Sequence, residues 1–479
     1  MKDQQSYLYR KLPQLDELLG RPEVKRLVQT HSRELVVDAA RAVLRRLRQE
    51  IRAEQQSEES LEECLRAFPQ AIECEVKETL RPSLRRVINA TGVILQTNLG
   101  RAPLAQQAIE RISDIAGGYC NLEIDLASGE RGRRDAHAES LILDLLALRT
   151  GAAIGSLDAT HGAAVVNNCA AATFLVLNTA AEGGEVLVSR GELVEIGGGF
   201  RIPDILRKSG AVLREVGTTN RTRVEDYAAA ISPATRLILR VHRSNFRMEG
   251  FTERADLREL IALGRTASVP VFEDQGTGCV VALEEYGIDG EASWIESATS
   301  GASIVAASGD KLLGGPQCGI LTGERSAIER IRSNPLFRAL RCDKLTYAAL
   351  QGTLLAYLQG REATVPAIRM LRMPAVTVRE RCRRYVSALA NSDLQPEVVP
   401  STSVVGGGTT PGATVPSYAV ALQHRVLNDA KLASALRQLE VPIVARTNDG
   451  RVLLDLRTVA EDDDELVLGA LRAMSRRSE

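Results

Sequence analysis

From VINATGVILQTNLGRAPL onward the chain repeats one texture: a short aliphatic run, a polar or glycine-rich break, then a helical stretch. The runs lie in GEVLVSRG, GAVLREVG, TRLILRVHRSNF, VPVFEDQGTG and SIVAASGDK. Each reads as one brief buried strand, and strands alternating with helices predict a mostly parallel sheet covered on both faces, an α/β class. That architecture places ligands beyond the carboxyl ends of its strands, where the polar residues of these runs lie.

At 479 residues the chain exceeds one ordinary core, and its texture suggests three regions. Residues 1–80 read as a helical N-terminal domain and linker, 81–365 as the large α/β domain, and 366–479 as a smaller α+β domain. In the first, ELVVDAARAVLRRLRQEIRAEQQSEESLEECLRAF has apolar residues at three-and-four spacing. Its Arg41, Arg45, Arg46 and Arg48 read either as a solvated helix face or as a docking surface for an RNA backbone. In the last, VPIVARTNDGRVLLDLRTV reads as a hairpin turning at Asn448, Asp449 and Gly450, and VVGGGTTPGATVPS as a loop.

Lys and Arg total 60 against 61 for Asp and Glu, so no whole-chain field draws the protein to a polyanion; any such partner must meet a local patch. The opening MKDQQSYLYRKLPQ lacks the apolar core of a leader, and no later run is apolar enough to span a bilayer, so a cytoplasmic protein without membrane attachment is expected. Eight cysteines without a C-x-x-C pair predict reduced, mostly buried thiols and neither a metal cluster nor a disulfide framework.

The stretch SIVAASGDKLLGGPQCGILTG frames a single lysine, Lys311, between small apolar residues and a Gly-Gly-Pro turn. A lysine that forms a Schiff base must be held rigidly and partly desolvated, so that its amine is available neutral. Ser308 stands three positions earlier, where a hydroxyl can meet a cofactor phosphate, and Gly314 and Gly315 could offer bare amides to the same anion. Alone, a glycine-flanked lysine is more often a turn residue. The order of parts upstream changes that balance. Asn167, Asn168 and Cys169 head an Ala-rich helix in DATHGAAVVNNCAAATFLVL, where amides bind anions. Asp274 ends the strand VPVFED, suited to a pyridinium nitrogen, and Asn245 ends LILRVHRSN, suited to a ring hydroxyl. Asp274 is equally a helix cap and Asn245 a turn residue when taken singly. As an ordered set these residues predict pyridoxal 5'-phosphate.

The segments VINATGVILQTNLGRAPL, GERGRRDAHAE, SRGELVEIGGGFRIPDIL, SGDKLLGGPQ, NPLFRALRCDKLTYAALQGTLLAYL and VLLDLRTV, in this order, resemble the bacterial selenocysteine synthase (L-seryl-tRNA(Sec) selenium transferase) family. The resemblance runs from about residue 80 to the end, with the helical N-terminus in keeping. It implies an aspartate-aminotransferase-like (fold type I) pyridoxal phosphate enzyme that converts L-seryl-tRNA(Sec) to L-selenocysteinyl-tRNA(Sec), by loss of the seryl hydroxyl and addition of selenium from selenophosphate. It further implies that the N-terminal helices grip the tRNA and that the chain forms a homo-oligomer, a ring of dimers, commonly a decamer.

Carried over by motif, Lys311 is the Schiff-base lysine, Asp310 belongs to the same active segment, and Arg101, Arg338 and Arg341 bind the donor's anionic group. Arg338 and Arg341, three apart on a predicted helix, would share a face and chelate an oxyanion; surface ion pairs are the plain alternative. Arg446 resembles in its placement the carboxylate-binding arginine of aminotransferases, which an esterified serine does not need. The sequence departs from the family at Gln96, where His is expected, at Cys169, in place of a third Asn, and in FEDQGTG, which leaves the role of the residue after Asp274 open. His137 and His161 are eligible for site or structural roles. The rival reading is a related pyridoxal lyase acting on a small amino acid or amino sugar, against which the long N-terminal helical segment argues.

Overall fold

The computed structural model describes residues 2–53, 55–197, 199–288, 292–390 and 392–475. The chain divides into two compact units, residues 1–86 and 87–479.

The first unit is helical, and its longest helix, Arg33–Arg52, is built as its spacing dictates. Ser32 caps it by accepting from the Leu35 amide at 3.3 Å. Val36, Ala40, Val43, Leu44 and Leu47 form a buried stripe that packs with Phe68, Ile72 and Val76 of the helix Phe68–Thr79, and Ile51 continues it against Leu8 and Leu61. Arg41, Arg45 and Arg48 recur at helical spacing and stay exposed.

The second unit holds two sheets. The larger runs in the order His161–Val166, Gly319–Glu324, Ile304–Ser308, Val271–Asp274, Thr235–Val241, Glu185–Ser189 and Val212–Val216. Six strands point the same way; Gly319–Glu324 is antiparallel to both its neighbours. The five runs singled out above as strands are all in this sheet. Strand periodicity sends Ala163, Val165, Val305 and Ala307 into the core on one face and Ala164, Val166, Ile304 and Ala306 into the core on the other. Both faces are therefore covered, and Val166, Ser308, Asp274 and Val241 finish at one common edge.

The smaller sheet has the order Ile88–Ala90, Ile443–Asn448, Arg451–Asp455, Thr414–His424 and Leu394–Val404. The expected hairpin is present, with Asn448 opposite Arg451 around a two-residue turn. Ile88–Ala90 pairs parallel with Ile443–Ala445. The start of the segment expected to open the large domain thus completes the small sheet instead, because three residues form a strand only against an existing edge. Among the described residues no helix is long and apolar enough to cross a membrane. All eight cysteines are free, with Cys279, Cys318, Cys342 and Cys382 buried.

Gly314 shows how tightly the lysine segment is built. Its φ is +71°, and a Cβ there would collide with Val365 Cγ1. Gly314→Ala is expected to lower stability by about 2 kcal/mol or more, from left-handed strain and forced packing. An unchanged urea midpoint would show that this turn yields without cost.

Candidate active site

A cavity of about 280 Å³ opens at the common strand edge, lined by Arg101, Asn168, Cys169, His242, Asp274, Gln275, Ser308, Asp310, Lys311 and Gln317 among others. Strand ends deliver most of these groups. Asp274 closes its strand between Val241 and Ala306, and its carbonyl accepts from the His242 amide at 3.0 Å. Ser308 closes the next strand, and Asp310 and Lys311 follow in the turn.

Lys311 and Asp274 are each only 7% exposed. The Lys311 amine donates to the Gly408 carbonyl at 2.9 Å. Burial pushes its pKa below the usual lysine range, and the nearby Arg101 cation acts in the same direction, against Cys169 and Asp274. Burial pushes the Asp274 carboxyl up, while the Thr173 hydroxyl, donating at 3.0 Å to Oδ2, and the Lys311 amine favour its charged form. The Cys169 thiol lies 3.6 Å from Asp274 Oδ1, and burial raises its pKa, so it remains a protonated donor.

Arg101 adopts φ 65°, a left-handed conformation uncommon for a residue with a side chain, and its guanidinium meets Asp310 Oδ2 at 2.6 Å. The ion pair holds a cation at the mouth of the pocket despite the backbone cost, a pattern associated with sites.

These residues fit a pyridoxal phosphate group. An ideal Cβ on Gly276 would lie 3.7 Å from Asp274 Oδ1 and 3.8 Å from Lys311 Nζ. One on Gly408 would lie 3.7 Å from Ser244 Oγ and 4.0 Å from the same amine. Bare glycine at 276 keeps open the cavity wall where the buried amine and the buried carboxylate both lie, and at 408 it leaves room beside the amine. Asn168 caps the helix Cys169–Ala181 through the Ala171 amide at 2.8 Å, which directs that helix's N-terminus at the cavity.

Several expected residues stand elsewhere. Asn245 is exposed and four positions past its strand, donating to the Glu195 carbonyl at 2.5 Å; the strand stops at Val241, so His242 takes the pocket position instead. Asn167 is exposed and accepts from the Asn168 amide side chain at 3.3 Å. Gly314 and Gly315 have no bare amides to offer, since these donate to the carbonyls of Lys311 and Gly309 and close the turn.

Arg338 and Arg341 do not share one helix. The helix Pro335–Ala339 ends before Arg341, whose backbone bridges Val166 and whose side chain sits 3.6 Å from Glu123 Oε1. Neither arginine lines the cavity, although their segment runs beside the helix head, with the Asn167 amide donating to the Leu340 carbonyl at 2.9 Å.

Arg446 turns to Ser401 and Asp455. His161 begins its strand, at the edge opposite the cavity, and His137 bonds the Asn121 carbonyl at 3.1 Å. Gln275 reaches the cavity and braces its own loop, accepting from the amides of Thr277 and Gly278.

His242, Thr173, Gln317 and Gly408 are site residues that the sequence pattern does not single out. Only His242, adjoining a strand end, leaves a signal there.

Fold and site together define an α/β protein organised around a buried lysine and a buried carboxylate that line one cavity. The L-seryl-tRNA selenium transferase family matches residues 87–460, and the selenocysteine synthase N-terminal family matches residues 9–48. The chain belongs to the L-seryl-tRNA selenium transferase family. It is 43% identical over 459 residues to the L-seryl-tRNA(Sec) selenium transferase of Aquifex aeolicus (strain VF5), covering 95% of this chain and 98% of that one. It is 44% identical over 473 residues to the enzyme of the same name from Geobacter sulfurreducens, covering 98% and 99%. Among solved structures, D-glucosaminate-6-phosphate ammonia-lyase superposes with a TM-score of 0.54 at 19% identity, covering 84% of this chain and 98% of that one, a likeness of fold alone. The mostly parallel α/β sheet with a smaller α+β part is the architecture expected from the sequence.

Proposed function

We infer that this chain converts L-seryl-tRNA(Sec) to L-selenocysteinyl-tRNA(Sec), with pyridoxal 5'-phosphate as its cofactor and selenophosphate as the selenium donor. One observation carries the reading: Lys311, Asp274 and Arg101 meet in a single pocket of a chain that matches its named relatives almost end to end.

When bound, pyridoxal phosphate withdraws electrons from the amino acid's Cα, which labilises its proton and lets the β-hydroxyl leave. The chain's own residues do the rest. Lys311, desolvated and biased toward the neutral amine, takes the Cα proton and later returns it. Asp274 holds negative charge at the far wall, with Thr173 and Cys169 donating to it. Arg101, steadied by Asp310, is assigned to the donor's anionic group. Arg338 and Arg341 are carried for the same donor by resemblance, from a segment beside the helix head. Asn168 and Ser308 are assigned to the cofactor phosphate, at the helix N-terminus and a strand end.

The helical unit is assigned to the tRNA. In support, Arg45 and Arg48 have no ion-pair partner among the described residues and share an exposed face with Arg41, opposite the buried stripe. The reading includes a cytoplasmic ring of dimers. Tyr119 and Leu126, exposed apolar side chains, are the kind of surface such an assembly would cover.

The deciding experiment incubates purified protein with seryl-tRNA(Sec) and labelled selenophosphate and identifies the aminoacyl product; unchanged serine on the tRNA would end this reading. Deleting residues 1–86 is expected to weaken tRNA binding by at least about tenfold, the loss of several phosphate contacts. The cofactor's absorbance response to serine methyl ester should persist. Undiminished tRNA affinity in the truncated chain would reassign the RNA contact.

A further inference from the structure

A second cavity, about 470 Å³, adjoins the catalytic pocket and shares His242 with it. One loop serves both: Gly408 receives the Lys311 hydrogen bond, and Thr410, two residues on, lines the outer cavity. Arg243, Arg247 and Arg254 line it as well, together with Phe246 and Met248, and its described lining contains no carboxylate.

Arg254 is committed to Glu192 at 2.7 Å and to the Val241 carbonyl at 2.9 Å. Among the described residues Arg247 pairs only with Glu249, at 3.4 Å, with both side chains largely exposed. Arg243 has, among the described residues, no ion-pair partner and no hydrogen-bond partner for its buried Nε. Thr410, 5% exposed, leaves its hydroxyl likewise unpartnered. Buried polar groups are normally satisfied, so this pairing of a guanidinium and a hydroxyl at one cavity calls for a ligand. Burial, and after it the neighbouring Arg254 cation, push the Arg243 guanidinium below its usual range, with Glu192 acting against them.

The substrate class follows from the reaction and rests on the function proposed above. Serine reaches Lys311 as an ester of the tRNA's terminal ribose, so the terminal nucleoside must occupy space directly adjoining the catalytic pocket. Its phosphodiester then needs cationic partners, and its base an apolar surface. The cavity is of the size of sites that take small ligands, about 300–1,000 Å³. We propose that the outer cavity holds the 3'-terminal nucleotide of the aminoacyl-tRNA, with Arg243 and Arg247 as partners of its phosphodiester and Phe246 and Met248 beside its base.

The test uses the holoenzyme, seryl-tRNA(Sec) as substrate, and the dinucleotide CpA and inorganic phosphate as competitors. CpA is expected to compete with seryl-tRNA in the wild type, and inorganic phosphate at the same concentration is not. Arg243→Gln and Arg247→Gln are each expected to raise KM for seryl-tRNA and weaken CpA inhibition about tenfold, the loss of one charge-assisted contact. The cofactor's absorbance response to serine methyl ester, which lacks the nucleotide, should be unchanged.

Arg247 is exposed, so its variant carries the test if Arg243→Gln does not fold. The proposal is overturned if the folded variants shift KM less than twofold, if phosphate competes as well as CpA, or if the methyl ester response falls in step. A wild type that turns over seryl-tRNA while the variants match it defeats this proposal alone. A wild type with no turnover at all defeats the functional reading as well.

Discussion

Lys311→Ala is expected to reduce selenocysteinyl-tRNA formation by on the order of 10⁴-fold or more, because one side chain supplies both the covalent anchor and the proton carrier. The residue is 7% exposed and its amine is hydrogen-bonded to a backbone carbonyl, so no solvent-borne base can take its place easily. Affinity for seryl-tRNA should change less than about threefold, since the assigned RNA contacts lie in the helical unit and around the outer cavity. Two measurements check this: turnover with labelled selenophosphate, and borohydride reduction of the wild type followed by peptide mapping. A pyridoxyl group found on any other lysine would remove Lys311 from its assigned role, as would residual turnover within about tenfold of the wild type.

Asp274→Asn should lower kcat by roughly 10²- to 10³-fold, the scale of losing one preorganised electrostatic partner. The substitution keeps the shape, so the hydroxyl of Thr173, 3.0 Å away, retains an acceptor while the negative charge disappears. KM for seryl-tRNA should hold.

The same change should act in the opposite sense on the chain stripped of cofactor. There the carboxyl's pKa is raised above its ordinary 3.8 by burial, so the folded state prefers the protonated form. Stability contributed by that preference is present below 3.8 and is lost as pH rises through the raised value. Asp274→Asn removes the loss, and the stripped variant is expected to melt at a higher temperature than the stripped wild type at neutral pH. Melting curves of both proteins, with and without cofactor, decide it. A stripped variant that melts lower would mean that the carboxylate is satisfied without a ring beside it.

The legible parts of this fold are those set by local pattern. Four of the aliphatic runs became strands buried on two faces, whereas Val212–Val216 forms the sheet's outer edge and is largely exposed; the residues that end the runs had to arrive at one edge once six strands ran the same way. Asp274, Ser308 and Lys311 are legible for that reason. Asn245 is not, because the aliphatic run gives no sign that its strand stops at Val241, where Glu192 accepts from the backbone amide and Arg254 donates to the carbonyl. Arg338 and Arg341 read as one helix because nothing local announces that it ends at Ala339; the bridge from Arg341 to Val166 does that, across the fold.

By itself the sequence determined which segments are strands and helices, and therefore that an amine and a carboxylate would be carried to the same side of a parallel sheet. Backbone periodicity and covalent order are sufficient for that. Tertiary structure alone decided that Gly408 lies against the amine across 97 residues, that Arg101 meets Asp310 across 209, and that Thr410 and Arg243 face a common cavity. Those meetings depend on how loops close over packed cores, and loop ends separated by so much chain are brought together by burial elsewhere, with no local pattern to record it.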